Sequence, residues 1–235
     1  MKLEGNANFL RIHVMHRRNM MLSLASAFAT PGVLAAQAID ETALDDVARE
    51  QLVLNGFSTS TEIIEMVLGF DEAPVTLELY ASFTCPHCAN FHNDVLAQLR
   101  RDYVATGRVR VIYRDVFLDR PGLWASMMAR CAGPDRFYDA ADLLYHNQSV
   151  WSRGETPQIL GFLAEIGSRV GMSDADLEAC YTNAAMAENL VAWSDEHRRE
   201  DNITSTPTLI IDGDMYPNMA YDDLKDAVDR ALAKR

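Results

Sequence analysis

The sequence predicts an α/β fold made of a βαβ half and a ββα half, with a block of helices inserted between them. Three observations predict it. β-Favouring segments at 74–83 and 108–117 enclose a helical segment, residues 121 to about 200 are helical in pattern, and strand signals return at 208–211 before a terminal helix. A helical crossover between two strands implies that they run parallel.

The first 38 residues differ in charge from the rest of the chain. They contain four basic residues and one acidic residue, whereas the remainder holds 17 basic and 33 acidic residues. Arg17 and Arg18, the uncharged run 20–36 and a small-residue tail ending at Ala38 are typical of a secretory signal peptide. We expect cleavage after Ala38 and a periplasmic protein. An ordinary basic leader and twin-arginine export both remain open.

The remaining residues are strongly acidic, with a net charge of −16. Such a surface repels phosphate backbones and anionic lipids, and no local basic patch offsets it, so we expect no nucleic-acid partner. The content of 49% hydrophobic and 23% charged residues is that of a globular protein and excludes wholesale disorder.

The predicted elements begin after the leader with an amphipathic helical stretch at 41–54 and a short strand at 63–68. In 74–83, apolar residues alternate on one face of a predicted strand, and β-branched residues alternate again in 108–117. Between these strands, apolar residues recur at three- and four-residue steps from Cys88 onward, which predicts a helix.

The second part of the chain is predicted from its breaks. The helical pattern after residue 121 is interrupted at 133–134, at 156–157 and at Gly171, and Ser173 with Asp176 forms a variant of the capping box. The strand at 208–211 turns through Asp212 and Gly213 into a short second strand. A helix from about Tyr221 ends the chain, with one apolar face: Leu224, Val228 and Leu232.

The four cysteines divide by spacing. Cys85 and Cys88 form a C-x-x-C pair, whereas Cys131 and Cys180 are isolated and 49 positions apart. Export would place all four where disulfides persist. Three connectivities are possible and the sequence excludes none of them, but we pair Cys85 with Cys88 and Cys131 with Cys180.

The surroundings of Cys85 predict a reactive thiol. It lies where a strand ends and a helix begins, so unpaired N–H groups and the helix dipole favour the thiolate, which is the form that attacks disulfides. Pro86 suits the first helical turn, and His87 adds a donor or a positive charge beside the sulfur. Cys88, one turn further, is the expected resolving thiol.

Other interpretations of this pair are weaker. A zinc site needs about four ligands, and only His87 and His92 are near, so we expect no metal. A purely structural disulfide would close a very small ring and constrain little entropy, and inert thiols are unexpected in an oxidising compartment. We therefore predict redox chemistry at the two cysteines, without a cofactor.

Cys131 and Cys180 lie in helical stretches where nothing nearby would activate a thiolate. A bridge between them would close a loop of about 50 residues and contribute about 4 kcal/mol in the chain-entropy model. We expect a structural disulfide.

Together these motifs resemble the DsbA-like thiol-disulfide oxidoreductases of the thioredoxin superfamily. The resemblance rests on Cys-Pro-His-Cys at 85–88 after a hydrophobic strand, on the helical block, and on Thr-Pro-Thr at 206–208 opening the return strand. The segments 113–115 and 129–132 and the Cys180 region are similar to the exported alphaproteobacterial branch. The resemblance covers residues 60–235 and implies a thioredoxin-like fold with a helical insertion.

The resemblance also implies roles for individual residues. Cys85 would be the exposed nucleophile that forms a mixed disulfide, and Cys88 would resolve it. Pro207 would be a cis-proline facing the site, with Thr206 offering backbone groups to the substrate. From base rates alone, Pro207 would instead be a trans-proline that begins an edge strand.

Two positions depart from the family pattern. Members of the family often carry a buried acidic residue six positions before the first cysteine. In this sequence that position is occupied by Leu79, and Glu78 lies one position earlier, on the opposite face of the strand. Glu78 is therefore expected at the surface or in a salt bridge. Thr206 stands where the best-known periplasmic oxidases have valine, and threonine occurs in both oxidases and isomerases.

The predicted function is an exported oxidase that donates the Cys85–Cys88 disulfide to unfolded or reduced secreted proteins. The resemblance implies reoxidation by a quinone-linked membrane partner, and we expect a monomer. A reductase or isomerase kept reduced by another donor is one alternative. Another is a non-catalytic binder that holds unfolded chains on an apolar cluster of the helical block: Trp124, Met127 and Met128.

The predicted domain organisation has four parts. Residues 1–38 are the signal peptide and residues 39–72 an N-terminal extension. Residues 73–120 and 203–235 form the thioredoxin-like domain, and residues 121–202 form the inserted helical domain.

Overall fold

The computed structural model describes residues 61–235. The predicted leader and the predicted helix at 41–54 lie outside the described residues.

A five-stranded mixed sheet forms the centre of the fold. Its strands are β1 (Met66–Leu68), β2 (Val75–Ala81), β3 (Val109–Asp115), β4 (Thr208–Ile211) and β5 (Asp214–Pro217). The order across the sheet is β1-β3-β2-β4-β5. β2 and β3 are parallel, as the helical crossover predicts, and the β1–β3, β2–β4 and β4–β5 pairs are antiparallel.

The crossover from β2 to β3 is continuously helical from Pro86 to Val104. It consists of α1 (Pro86–Asn90), a π-helical segment (Phe91–Leu96), α2 (Ala97–Leu99) and a second π-helical segment (Arg100–Val104). Its buried residues, among them Leu96 and Leu99, pack into the main core beside the sheet.

Six helices lie between β3 and β4, and one follows β5. They are α3 (Arg120–Cys131), α4 (Pro134–His146), α5 (Gln148–Trp151), α6 (Thr156–Arg169), α7 (Asp174–Thr182), α8 (Ala184–Glu200) and the terminal α9 (Tyr221–Leu232). The observed order confirms the predicted α/β fold with a helical insertion between its βαβ and ββα halves.

The predicted breaks lie at the ends of these helices, and Thr156 and Pro157 form the start of α6. Gly133 precedes α4 with φ +89°, and Gly171 follows α6 with φ +90°; both values are in the left-handed region that glycine adopts without steric cost. At the start of α7, Ser173 Oγ accepts from Asp176 N at 3.2 Å and Asp176 Oδ2 accepts from Ser173 N at 2.7 Å. The predicted capping box is therefore present.

A buried ion pair fastens the inserted helices to the sheet. Arg130 of α3 contacts Asp115, at the end of β3, through Nη2 at 2.6 Å and Nε at 2.9 Å, and both side chains are 2% exposed. Asp115 also accepts from the hydroxyl of Ser126. Ser194 of α8 donates to the Asp115 carbonyl oxygen at 2.6 Å. Two inserted helices therefore hydrogen-bond to one strand end.

The apolar cluster that the binder alternative requires is not a surface. Met127 is 2% exposed and Met128 is 0% exposed, and both belong to the main hydrophobic core. Trp124 is partly buried and packs against the same core. These side chains contribute to packing, so the alternative loses its binding surface.

The structure joins Cys131 of α3 to Cys180 of α7 in a disulfide, with their Cα atoms 6.2 Å apart. Both residues are 2% exposed. The bond joins residues 49 positions apart within the insertion, so it lowers the conformational entropy of the unfolded chain.

We expect a Cys131→Ala/Cys180→Ala variant to lose about 2–4 kcal/mol of unfolding free energy, because the unfolded chain regains loop entropy. Urea unfolding, with Cys85 and Cys88 kept in one redox state in both proteins, measures the loss. An unchanged urea midpoint and slope would show that this bond contributes nothing to stability.

Candidate active site

Cys85 lies at the junction between β2 and α1, where it is the N-cap residue of the helix with extended backbone angles, φ −80° and ψ 119°. Its carbonyl oxygen accepts from the N–H groups of Cys88 at 3.0 Å and Ala89 at 3.1 Å. Pro86 occupies the first helical turn, and Pro86 and His87 are both exposed. Both cysteines of the pair are free thiols.

Cys85 is less accessible than the predicted exposed nucleophile. The residue is 6% exposed and Cys88 is 1% exposed, so the order of accessibility is as predicted but the first thiol is largely covered. The covering group is the loop before β4, since Cys85 Sγ lies 3.6 Å from the carbonyl oxygen of Thr206.

The pKa of Cys85 is lowered to about 5 by the groups around its sulfur. The hydrogen bond from the Cys88 thiol is the largest cause, and hydrogen bonds from Thr206 and from the backbone N–H groups of Cys88 and His87 add to it. Burial acts in the opposite direction but is outweighed. At neutral pH the first cysteine is a thiolate.

Burial raises the pKa of Cys88, and its hydrogen bond to Cys85 raises it further. Cys88 therefore stays a neutral thiol at neutral pH and serves as a donor to its neighbour. The two sulfurs have divided roles, one charged at the edge of the site and one protonated beneath it.

The other predicted site residues lie on the loop facing Cys85. The Thr206–Pro207 peptide bond is cis, and Pro207 is buried directly before β4. Thr206 is half-buried, with its carbonyl oxygen against the Cys85 sulfur. The structure thus brings the Cys-Pro-His-Cys motif and the Thr-Pro motif together from opposite ends of the chain.

The acid that precedes Cys85 is part of a salt bridge. Glu78 Oε2 accepts from Arg114 Nε at 2.8 Å, and Arg114 Nη1 lies 2.6 Å from Glu65 Oε1. Leu79 is 1% exposed and faces the core, where its partner in β3 is Tyr113. Of the two roles expected for Glu78, a surface position or a salt bridge, the structure shows the salt bridge.

The structure also contains buried polar groups near the site that the sequence did not predict. The hydroxyls of Tyr113 and Tyr145 are 2.6 Å apart, and burial raises the pKa of both tyrosines. Gln148 of α5 donates to backbone carbonyls beside Cys85. No motif or periodicity marks these residues, because their partners are distant in sequence.

A polar cleft of about 390 Å³ borders the motif on the side of the inserted helices. It lies between α1 and the corner that joins α4 to α5. Most of its lining carries side-chain amides, hydroxyls or charges, including Asn90, Asn93, His146, Ser149 and Arg153. Pro86 and Thr84 form its edge nearest to Cys85.

Residues 61–235 lack two kinds of feature. No three histidine, cysteine, aspartate or glutamate side chains in this range are grouped so that they could hold a metal ion. Within the same range, no helix has the length and apolarity needed to cross a membrane.

A family model described as thioredoxin matches residues 61–230. Among curated proteins, one from Rickettsia typhi that is provisionally named a protein-disulfide oxidoreductase is 28% identical over 169 residues, covering 72% of this chain and 62% of its own length. Disulfide bond formation protein D of Bacillus subtilis is 27% identical over 175 residues, covering 71% of this chain and 76% of its own. The chain thus spans about three fifths of its rickettsial relative.

Two solved structures have folds similar to that of this chain. Alpha-DsbA1 of Wolbachia pipientis has a TM-score of 0.67 and 21% identity, covering 72% of this chain and 92% of that one. Oxidised BdbD of Bacillus subtilis has a TM-score of 0.65 and 22% identity, covering 76% and 96%. At these identities the likeness shows the fold.

Proposed function

Because the chain belongs to the thioredoxin family, whose model matches residues 61–230, we propose that it is a DsbA-like protein thiol-disulfide oxidoreductase. One observation carries the proposal. Cys85, with its pKa lowered to about 5, lies beside Cys88, whose thiol is kept neutral by burial. This pairing provides a reactive sulfur and a resolving sulfur in one site.

The proposed direction is oxidation of client proteins. Stabilising the Cys85 thiolate stabilises the dithiol form of the site, so its disulfide is a stronger oxidant. The same stabilisation makes Cys85 a better leaving group when a client completes its own disulfide.

The exchange takes place in two displacements. A client thiolate attacks Cys85 Sγ, the Cys85–Cys88 bond breaks, and the leaving Cys88 sulfur takes up a proton because its pKa is raised. A second client thiolate then attacks the client sulfur of the mixed disulfide, and Cys85 leaves as a thiolate. The client loses two electrons and gains a disulfide, and the enzyme is reduced to a thiolate and a thiol.

The proposed setting is the periplasm. The basic, apolar leader of the sequence supports export, and a compartment in which disulfides persist would supply reduced secreted proteins as clients. Thr206 and Pro207 would face the client segment, since the Thr206 carbonyl lies against the reactive sulfur. A membrane partner coupled to quinone would restore the Cys85–Cys88 disulfide.

Redox equilibrium in glutathione buffers tests the direction. We expect a potential nearer to the DsbA value of about −120 mV than to the thioredoxin value of about −270 mV. Alkylation of Cys85 and Cys88 followed by mass spectrometry measures the reduced fraction, and the Cys131→Ala/Cys180→Ala variant ensures that only one pair reports. A potential near that of thioredoxin would contradict the oxidase and favour the reductase or isomerase.

The difference in unfolding free energy between the dithiol and disulfide forms of the Cys85–Cys88 pair should change with pH. The pKa of Cys85 is about 5 in the folded dithiol form, below the value of about 8.5 for a free thiol, so its contribution is lost as the pH falls towards 5. The pKa of Cys88 is raised, so its contribution is lost above about pH 8.5. We expect the advantage of the reduced form to grow between about pH 5 and 8.5 and then to decline.

Denaturant unfolding of the reduced and oxidised proteins at a series of pH values measures this difference. The oxidised protein is the control, since neither sulfur of its active-site pair titrates. A difference that does not change between pH 5 and 8.5 would contradict the assignment of Cys85 as the stabilised thiolate.

A further inference from the structure

One side chain of the inserted block reaches the backbone on both sides of Thr84. Gln148, the first residue of α5, donates from Nε2 to the carbonyl oxygen of Phe83 at 2.8 Å and to that of Cys85 at 2.9 Å. The residue is 7% exposed. Both N–H bonds of its amide are thus used on the segment that leads from β2 into α1.

This segment sets the position of the reactive sulfur. The N–H groups of His87 and Cys88 that stabilise the Cys85 thiolate belong to α1, whereas Thr206 belongs to the opposite loop. Hydrogen bonds weaken steeply with distance and angle, so all of these groups act together only when the Cys85 main chain is held in one place. Gln148 holds its carbonyl oxygen.

The remaining main-chain hydrogen bonds of the segment are local. Cys85 N donates to Ser82 O at 3.1 Å, and the Cys85 carbonyl accepts from the first turn of α1. These bonds fix the turn internally, but they do not connect it to the helical insertion. The Gln148 amide makes that connection, across 63 positions of sequence.

We propose that Gln148 is a positioning residue for thiol-disulfide exchange, which places the Cys85 sulfur at the groups that stabilise its thiolate. It bonds to neither sulfur and acts through the backbone of Phe83 and Cys85. The inference rests on the proposed function, because it assumes that Cys85 is the reacting thiol.

The chemistry of glutamine suits this role. A single amide nitrogen provides two donors without a charge, one for each of the two carbonyl oxygens. A carboxylate in the same place would offer only lone pairs to both carbonyls and would place a negative charge near the thiolate. Methionine has a similar length but no donor, so it removes the two bonds while filling the space.

The test is a pH titration of the Cys85 thiolate, followed by its absorbance near 240 nm, together with the rate of disulfide transfer to a reduced model peptide. In Gln148→Met we expect the titration midpoint to rise by about half a unit or more and transfer to slow by about threefold or more. Gln148→Glu should raise the midpoint further because of its charge. Gln98→Ala is the matched control, since Gln98 donates only to Asp94 O within the same helical crossover.

A structural role alone would lower the unfolding midpoint and leave the titration unchanged. A folded Gln148→Met protein with the wild-type thiolate midpoint and transfer rate therefore overturns the inference. Where that variant does not fold, Gln148→Asn decides by the same two readouts, because it keeps a neutral amide but is one methylene group too short to reach both carbonyl oxygens. If the wild-type protein itself lacks both a low-pKa thiol and transfer activity, the proposed function fails and the inference fails with it.

Discussion

A Cys85→Ser variant is expected to lose disulfide transfer by at least about 10³-fold, because no other described thiol is free to accept the client sulfur except the buried Cys88. A serine hydroxyl cannot form the mixed disulfide. Cys88 is 1% exposed and its raised pKa keeps it protonated, so it does not replace Cys85. Transfer of the disulfide to a reduced peptide, with the wild-type protein oxidised beforehand, measures the loss.

The matching Cys88→Ser variant should behave differently. Its Cys85 can still form a mixed disulfide with an oxidised or activated client, but the resolving thiol is missing, so the covalent complex should accumulate. Non-reducing electrophoresis and intact mass detect this complex, and Cys131→Ala/Cys180→Ala is the control for loss of a cysteine pair elsewhere. Full function in Cys85→Ser would refute the oxidoreductase and revive a non-catalytic binder.

The second large effect is expected in stability. Arg130→Ala should lower the free energy of unfolding by about 3–5 kcal/mol, because it leaves the Asp115 carboxylate buried without its cation. Arg130 also donates from Nη1 to the carbonyl oxygen of Ile64 at 2.7 Å, so its loss also releases the segment before β1. Urea unfolding at pH 7 with a constant redox state measures the change.

An exposed pair of the same type is the control. Arg169 and Glu165 form an i,i+4 ion pair on α6 at 2.8 Å, with both side chains more than half exposed. Arg169→Ala should therefore cost no more than about 0.5 kcal/mol. Replacing both Arg130 and Asp115 with apolar residues should recover part of the loss, since no unpaired charge remains. Equal losses for Arg130→Ala and Arg169→Ala would contradict the role of burial.

The arrangement of the elements could be predicted because it depends on local patterns. Alternation in 74–83 predicts β2, and the terminal helix begins at Tyr221 in both sequence and structure. Glycine and proline mark the breaks of the insertion because glycine adopts positive φ without steric cost and proline has a fixed φ and no N–H donor. The strand pattern before Cys85 and the helical pattern from Cys88 onward likewise predict a strand-to-helix junction at Cys85.

The properties of the site were decided only when distant segments met. Cys85 is covered by Thr206, 121 positions away. Its pKa is lowered chiefly by the hydrogen bond from the Cys88 thiol, with a smaller contribution from the Thr206 side chain. The sequence by itself determined which elements form, but it left three pairings of the four cysteines open. The tertiary structure decided the burial of Cys85, the Asp115 network and the Gln148 hydrogen bonds, because buried polar contacts depend on three-dimensional geometry and leave no periodic trace in the chain.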